Sequence, residues 1–230
     1  MNKNQKVVVI SGGSQGLGKS IATLLTRNYQ VIILSPTKTR LTKTAQKINC
    51  DFRVCDISNW KDVEETISSI TKQYKKIDVL INNASLYIEQ ELDLDDPQQV
   101  KRVNDVNITG TQFLTKSVIP TMKKQKNGLI ISIISQAGLV GQNGKSIYNA
   151  SKGAIHIFTK SLQIELQKYG ITVTGIYPGK LNTSMFENLG IKKDMSNALD
   201  PQNVAKLIEF ILSFENKVVF PEIGIKHPDN

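Results

Sequence analysis

Residues 6–11, KVVVIS, are apolar without the alternation that marks a strand with one wet face. A strand of this kind is buried on both sides, as in parallel sheets covered by helices above and below. The run passes directly into Gly12-Gly13-Ser14-Gln15-Gly16-Leu17-Gly18, and a helical pattern follows over 19–27. A glycine-rich turn between strand and helix aims free backbone N–H groups and the helix dipole at one point, which is a phosphate site. By physical role, Gly12 permits the tight turn, Gly16 lets a pyrophosphate approach, and Gly18 lets the helix pack on the strand. The same glycines in a plain flexible loop would carry no such meaning; the place between strand and helix favours the dinucleotide reading.

The alternation then repeats. The pattern predicts a strand over 31–34, a helix over 39–48, a strand over 52–55 ending at Asp56, a helix over 60–74 capped by Asn59, and a strand over 77–81. Pro97 opens a long helix through Asn107 toward Lys124, with Pro120 expected to kink or end it. A strand over 129–134 ends at Ser135, a loop with Gly138, Gly141 and Gly144 follows, and an amphipathic helix begins near Ser146. After it come a strand over 171–177, Pro178-Gly179, a polar segment over 180–197, a helix from Asp200-Pro201 to Phe214, and a last strand over 218–220. This order predicts the α/β class: one Rossmann-type, doubly wound domain over 1–230. It has a parallel sheet of about seven strands, right-handed crossovers and helices on both faces.

Composition narrows the partners. No apolar run approaches the ~20 residues of a membrane span, and the amino terminus leads into strand without a signal-peptide pattern. The expectation is a cytoplasmic protein with no membrane partner. The only two cysteines, Cys50 and Cys55, and the only two histidines, His156 and His227, make neither a disulfide framework nor a metal site. The net charge of +9 is scattered apart from short clusters such as Lys123, Lys124 and Lys126. A polyanionic cofactor accounts for it, and no nucleic-acid partner is expected.

Tyr148 and Lys152 lie four apart, so on a helix they share one face. A phenol of ordinary pKa near ~10 is a poor acid–base catalyst at neutral pH, and a fixed ammonium beside it favours the phenolate. Ser135, at the carboxyl end of a strand, is placed to hydrogen-bond an oxygen on which charge develops. Alone, the pair also reads as a packed tyrosine and a solvated lysine.

Taken together, these motifs resemble the short-chain dehydrogenase/reductase family over essentially the whole chain. Ser11-Gly12-xxx-Gly16-x-Gly18 is similar to its TGxxxGxG turn, with Ser for Thr. Asp56, followed by Ile57, matches the acid beside the adenine, and Asn82-Asn83-Ala84 matches its NNAG, with Ser85 in place of glycine. Asn107, Ser135, Tyr148-xxx-Lys152, and Pro178-Gly179 with Thr183 complete the set. The resemblance implies cofactor contacts from Gly12, Ser14, Gln15, Gly16, Leu17, Gly18, Ser35, Thr37, Asp56, Ile57, Asn83, Ala84, Tyr148, Lys152, Pro178, Gly179 and Thr183. It implies that Tyr148 exchanges a proton with a carbonyl or alcohol oxygen as hydride moves. Lys152 would lower the phenol pKa and hold the nicotinamide ribose, Ser135 would polarise the carbonyl, and Asn107 would position a relay water.

At the end of the second strand, Leu34-Ser35-Pro36-Thr37-Lys38-Thr39-Arg40 contains no acid to bind a ribose diol. Ser35, Thr37, Lys38 and Arg40 suit a 2′-phosphate, which favours NADP(H) over NAD(H). The expected function is an NAD(P)-dependent oxidoreductase acting on a small carbonyl or alcohol. The alternative is a cofactor-sensing regulator on the same fold. Leu181, Met185, Phe186 and Leu189 suggest a mostly apolar substrate pocket, or else an amphipathic lid helix. Oligomerisation, as homodimer or homotetramer, is expected through the helices bearing Asn107 and Tyr148, with Ile155, Phe158 and Leu162 as an outward stripe unless that stripe is core.

Overall fold

The structure, a computed structural model, describes residues 5–214 and 217–229. Its strands are β1 (Val7–Ser11), β2 (Gln30–Ser35), β3 (Asp51–Val54), β4 (Val79–Asn82), β5 (Gly128–Ile133), β6 (Ile171–Pro178) and β7 (Glu222–Ile225). They form one parallel sheet in the order β3-β2-β1-β4-β5-β6-β7. The order reverses between β1 and β4, so their carboxyl ends border the crevice where such sheets bind ligands. The helices are α1 (Gly16–Leu25), α2 (Lys38–Ile48), α3 (Trp60–Tyr74), α4 (Pro97–Asn104), α5 (Thr111–Gln125), α6 (Ser146–Gln167) and α7 (Pro201–Ser213).

Burial on both faces of β1 is visible residue by residue. Val8 and Ile10 pack with Ile21 and Leu25 of α1, Leu41 of α2 and Ile208 of α7. Val7 and Val9 point the other way, toward Ile67 of α3, Val118 of α5 and Leu166 of α6. Asn59 caps α3 as expected, accepting from the N–H groups of Lys61 and Asp62 at 3.0 and 3.4 Å. Desolvation pushes the Cys50 and Cys55 thiols up to about 12 and about 11, so both are held as thiols.

Several expectations are corrected. The long helix breaks at Asp105–Gly110, which winds as a π turn, whereas Pro120 lies inside α5 without ending it. The last strand is Glu222–Ile225 rather than 218–220. Phe220 instead packs against Phe210 and Phe214, leaving pairing to the stretch after Pro221. The segment after β6 contains a 3-10 turn at Glu187–Leu189 and a bridge between Leu181 and Leu199, not a lid helix. Ile155 and Leu162 are core residues, so the stripe they define faces inward.

Ile33 of β2 is fully buried and supports the glycine turn, since a Cβ on Gly13 would lie 2.5 Å from its Cγ2. Ile33→Ala is expected to cost about 2–5 kcal/mol of stability, read from the urea midpoint at unchanged slope.

Candidate active site

The turn after β1 is built around Ser11. Its hydroxyl accepts from the N–H groups of Asn83 and Ala84 at 3.0 and 3.1 Å. The Asn83 amide returns bonds to the carbonyls of Ser11 and Gly12 at 3.0 and 3.3 Å. Gly12 and Gly16 sit at φ 66° and 52°, where side chains are strained. At Gly18 a Cβ would come within 2.4 Å of the Gly12 carbonyl oxygen. Gln15, the N-cap of α1, provides no side-chain cap, and the first turn holds no acid. The N–H groups and positive dipole end of α1 are therefore left to serve an anion. These residues fit a dinucleotide pyrophosphate.

Around this turn the side chains divide. Leu17 goes into the core, so only its backbone faces the cleft. Ser14 and Ser35 are buried and share a hydrogen bond of 3.1 Å, which leaves Thr37 as the exposed hydroxyl at the end of β2. Lys19, Arg40, Lys43, Lys47 and Ser184 line a cleft with Gln15 and Gly16, and Arg40 is hydrogen-bonded to Gln15. Lys43 and Lys47 escaped notice in the sequence, although they repeat from Arg40 at helical spacing. Thr183 lies over Gly16, 3.7 Å from where a Cβ would be. Pro178 and Gly179 close β6, and Gly179 donates to the Ile225 carbonyl at 2.8 Å.

Asp56 follows β3, and Ile57 packs against Gly110. Burial acts to raise the Asp56 carboxyl, but hydrogen bonds from Ser58 and Arg102 and the Arg102 charge outweigh it and hold it below the usual range. Both oxygens are engaged, by Ser58 at 2.7 Å and Arg102 at 2.8 Å. Asn107 is buried in the π turn. Its amide oxygen accepts from Leu86 N at 2.7 Å, and its nitrogen donates to Leu86 O at 2.9 Å and to Ser151 Oγ at 3.0 Å.

Tyr148, Lys152 and Ser135 converge at the carboxyl end of β5. The Ser135 hydroxyl accepts from Ala137 N at 3.1 Å. Lys152, only 5% exposed, donates to the Ile133 carbonyl at 3.0 Å, and its nitrogen is 5.8 Å from the Tyr148 ring centroid. Desolvation pushes the phenol up to about 12, against the pull of hydrogen bonds from Ser135 and Ser85. Desolvation also pushes Lys152 down to about 8. In this geometry the Lys152 ammonium is engaged by the Ile133 carbonyl.

Beyond the phenol stand residues the sequence did not single out. The Tyr87 ring meets the Tyr148 ring edge-on at 4.7 Å and the Phe186 ring at 5.2 Å. Its hydroxyl donates to Glu89 at 2.7 Å, and Glu89 is paired with Lys193 at 2.7 Å. This string joins the loop after β4 to the segment after β6, and no local motif announces a contact across 104 residues. Among the described residues no group of His, Cys, Asp and Glu is arranged to hold a metal ion, and no helix is long and apolar enough to cross a membrane.

This architecture has counterparts. The short chain dehydrogenase family profile matches residues 6–194. An oxidoreductase of Staphylococcus saprophyticus is 30% identical over 230 residues, covering 96% of this chain and 97% of the relative. An oxidoreductase of Staphylococcus epidermidis is 29% identical over 225 residues, with 96% and 97% covered. In fold, the chain is similar to an alcohol dehydrogenase of the archaeon Thermococcus sibiricus complexed with 5-hydroxy-NADP, with a TM-score of 0.89, 22% identity and 98% and 97% coverage. It is also similar to a 3-ketoacyl-(acyl-carrier-protein) reductase of Brucella melitensis complexed with NADH, with a TM-score of 0.89, 24% identity and 97% of each chain covered. The chain belongs to the short-chain dehydrogenase family and is a nucleotide-binding oxidoreductase by class.

Lys152 offers a direct test of the site's electrostatics. Its folded pKa, about 8, lies below the ordinary 10.5, so between those values the unfolded chain holds a proton that the folded chain has released. Stability therefore rises with pH across that window. The stability of the native chain relative to Lys152→Met, from urea unfolding at stepped pH, is expected to grow from pH 8 to 10.5.

Proposed function

We propose that the protein is an NADP(H)-preferring reductase that converts a small ketone or aldehyde to an alcohol, or runs the reverse reaction. The observation carrying this reading is the convergence of the Tyr148 phenol, the Ser135 hydroxyl and the buried Lys152 ammonium beside a glycine turn built for a pyrophosphate. A bound nicotinamide supplies or accepts the hydride. Tyr148 delivers a proton to the carbonyl oxygen, or takes it from the alcohol. Ser135 donates a hydrogen bond to the same oxygen and stabilises charge developing there. Lys152 stands one helical turn behind, where its ammonium favours the phenolate once it turns from Ile133 toward the ribose. Asn107 holds the loop after β4 against α6 and leaves its own backbone to seat a relay water.

Preference for NADP(H) is supported by the cleft lined by Arg40, Lys43, Lys47 and Lys19, which suits a 2′-phosphate better than a ribose diol. Tyr87 and Phe186 give the substrate side an aromatic wall. The protein acts in the cytoplasm, as a homodimer or homotetramer. Exposed Ile157 and Ile164 on α6 are the apolar residues such an assembly covers, and light scattering measures its mass.

With a panel of ketones, aldehydes and β-ketoesters, Tyr148→Phe is expected to lose about 10²–10⁴-fold in kcat while retaining cofactor binding. Tight binding without turnover by the unaltered chain instead establishes the cofactor-sensing alternative. Arg40→Ala is expected to raise the Kd for NADPH about tenfold and to leave that for NADH unchanged, by fluorescence titration. Equal efficiency with both cofactors overturns the preference.

A further inference from the structure

Glu89 belongs to the loop after β4 and Lys193 to the segment after β6, and their side chains meet at 2.7 Å. Both are partly buried, 21% and 30% exposed, so solvent screens this pair less than an open surface pair. The carboxylate divides its two oxygens between two donors. Oε1 takes the Lys193 ammonium, and Oε2 accepts from the Tyr87 hydroxyl at 2.7 Å. The Tyr87 ring, 9% exposed, stands edge-on against both Tyr148 and Phe186. Phe186 lies on the same segment as Lys193, so loop and segment meet twice, once by rings and once by charge. Beside Glu89, the Gln90 N–H donates to the Gly144 carbonyl at 2.7 Å, on the loop that leads into α6. A ring alone would suffice to fill this space. The hydroxyl bond to a carboxylate, stronger than one to a neutral acceptor, adds a fixed place for the ring to stand.

We infer that Glu89 is a positioning residue for substrate choice: by holding Tyr87 and Lys193 at once, it fixes the Tyr87 ring beside Tyr148 and limits the bulk of the carbonyl compound that reaches the phenol. This role rests on the reductase reading of the site. With the clasp intact, the flank of Tyr148 that faces Tyr87 is occupied, so small aliphatic aldehydes and ketones are preferred to those bearing an aromatic ring on the carbonyl carbon. Without the carboxylate, Tyr87 loses its anchor and Lys193 its counter-charge, and that flank opens. Ser135 and Lys152 are held by bonds at the end of β5 that do not pass through Glu89, so the proton-transfer groups stay where they are.

The test compares Glu89→Gln, Lys193→Met and Lys193→Arg with the unaltered chain by the ratio of kcat/KM for acetophenone to that for propanal, with NADPH. In Glu89→Gln and Lys193→Met the ratio is expected to rise about tenfold, the scale on which a pocket discriminates by size. The double variant rises no further than the larger single effect, because both changes undo one clasp. Lys193→Arg keeps the charge and the native ratio. An unmoved ratio, or an equal loss toward both substrates, overturns the inference. A second readout needs no turnover. The N–H of Gln90 reports the loop, and that of Ile191, bonded to the Phe186 carbonyl at 3.0 Å, reports the segment. In free protein both are expected to exchange with deuterium about tenfold faster in Glu89→Gln and at the native rate in Lys193→Arg. Acceleration at only one of them, or at neither, overturns the inference. Absence of carbonyl reduction by the unaltered chain instead overturns the reductase reading, and the exchange rates still report whether Glu89 joins loop to segment.

Discussion

A single serine hydroxyl links the cofactor turn to the middle of the sheet. Ser11 ends β1, and by accepting from Asn83 and Ala84 it ties the glycine turn to the end of β4. These are the two strands between which the sheet reverses its order. Without that tie the crevice at the reversal would have two independent lips, because a sheet ends in backbone groups that a neighbouring strand no longer satisfies. With it, Gly12 and Asn83 are in contact, and the carbonyl of Gly12 sits where only a residue without Cβ, Gly18, can pass. The loop after β4 carries the tie onward through Leu86 to Asn107 and through Ser151 to Tyr148, so the glycine turn and the tyrosine share one hydrogen-bonded frame.

Within that frame the site is held in a state that solvent alone would not produce. Lys152 is buried as a cation with one carbonyl partner, and Tyr148 is desolvated in its neutral form. Ser135 adds a conformational cost, since its φ of 147° belongs to a region that glycine occupies readily and other residues avoid. Each of these departures weakens the fold, and all lie together at the carboxyl end of β5. Concentrated strain and desolvation of this kind mark a place where the surrounding structure over-determines local geometry. The two hydrophobic clusters on either face of the sheet supply that excess.

The fold was legible because strand burial and helix capping are local. The run 6–11, the Asn59 cap and the Asp200-Pro201 start each carry their reason within a few residues. The last strand was misplaced because Val218 and Val219 read as a strand by propensity, whereas pairing with β6 selects the stretch after Pro221. The π turn was not legible, since the bond that Asn107 makes within it, to Leu86, spans 21 residues. In the site, Tyr148, Lys152, Ser135 and the glycines stood out through spacing. Tyr87, Glu89 and Lys193 did not, because rings and ion pairs that meet across the sheet leave no periodic trace.

The π turn has a consequence for how the protein tolerates change in length. A turn of this kind holds one residue more than α winding needs, so the chain carries a surplus between α4 and α5. Each residue of an α-helix advances about 100° around the axis, so removing one elsewhere in α5 would swing Leu114, Val118 and Met122 off the core. Removing one within Asp105–Gly110 lets the surplus vanish and the downstream phase survive. What disappears with it is the pose of Asn107 against Leu86. Here the winding defect and the scaffold are separable by a single deletion, which spares the core face of α5 and removes the bonds from Asn107 to Leu86.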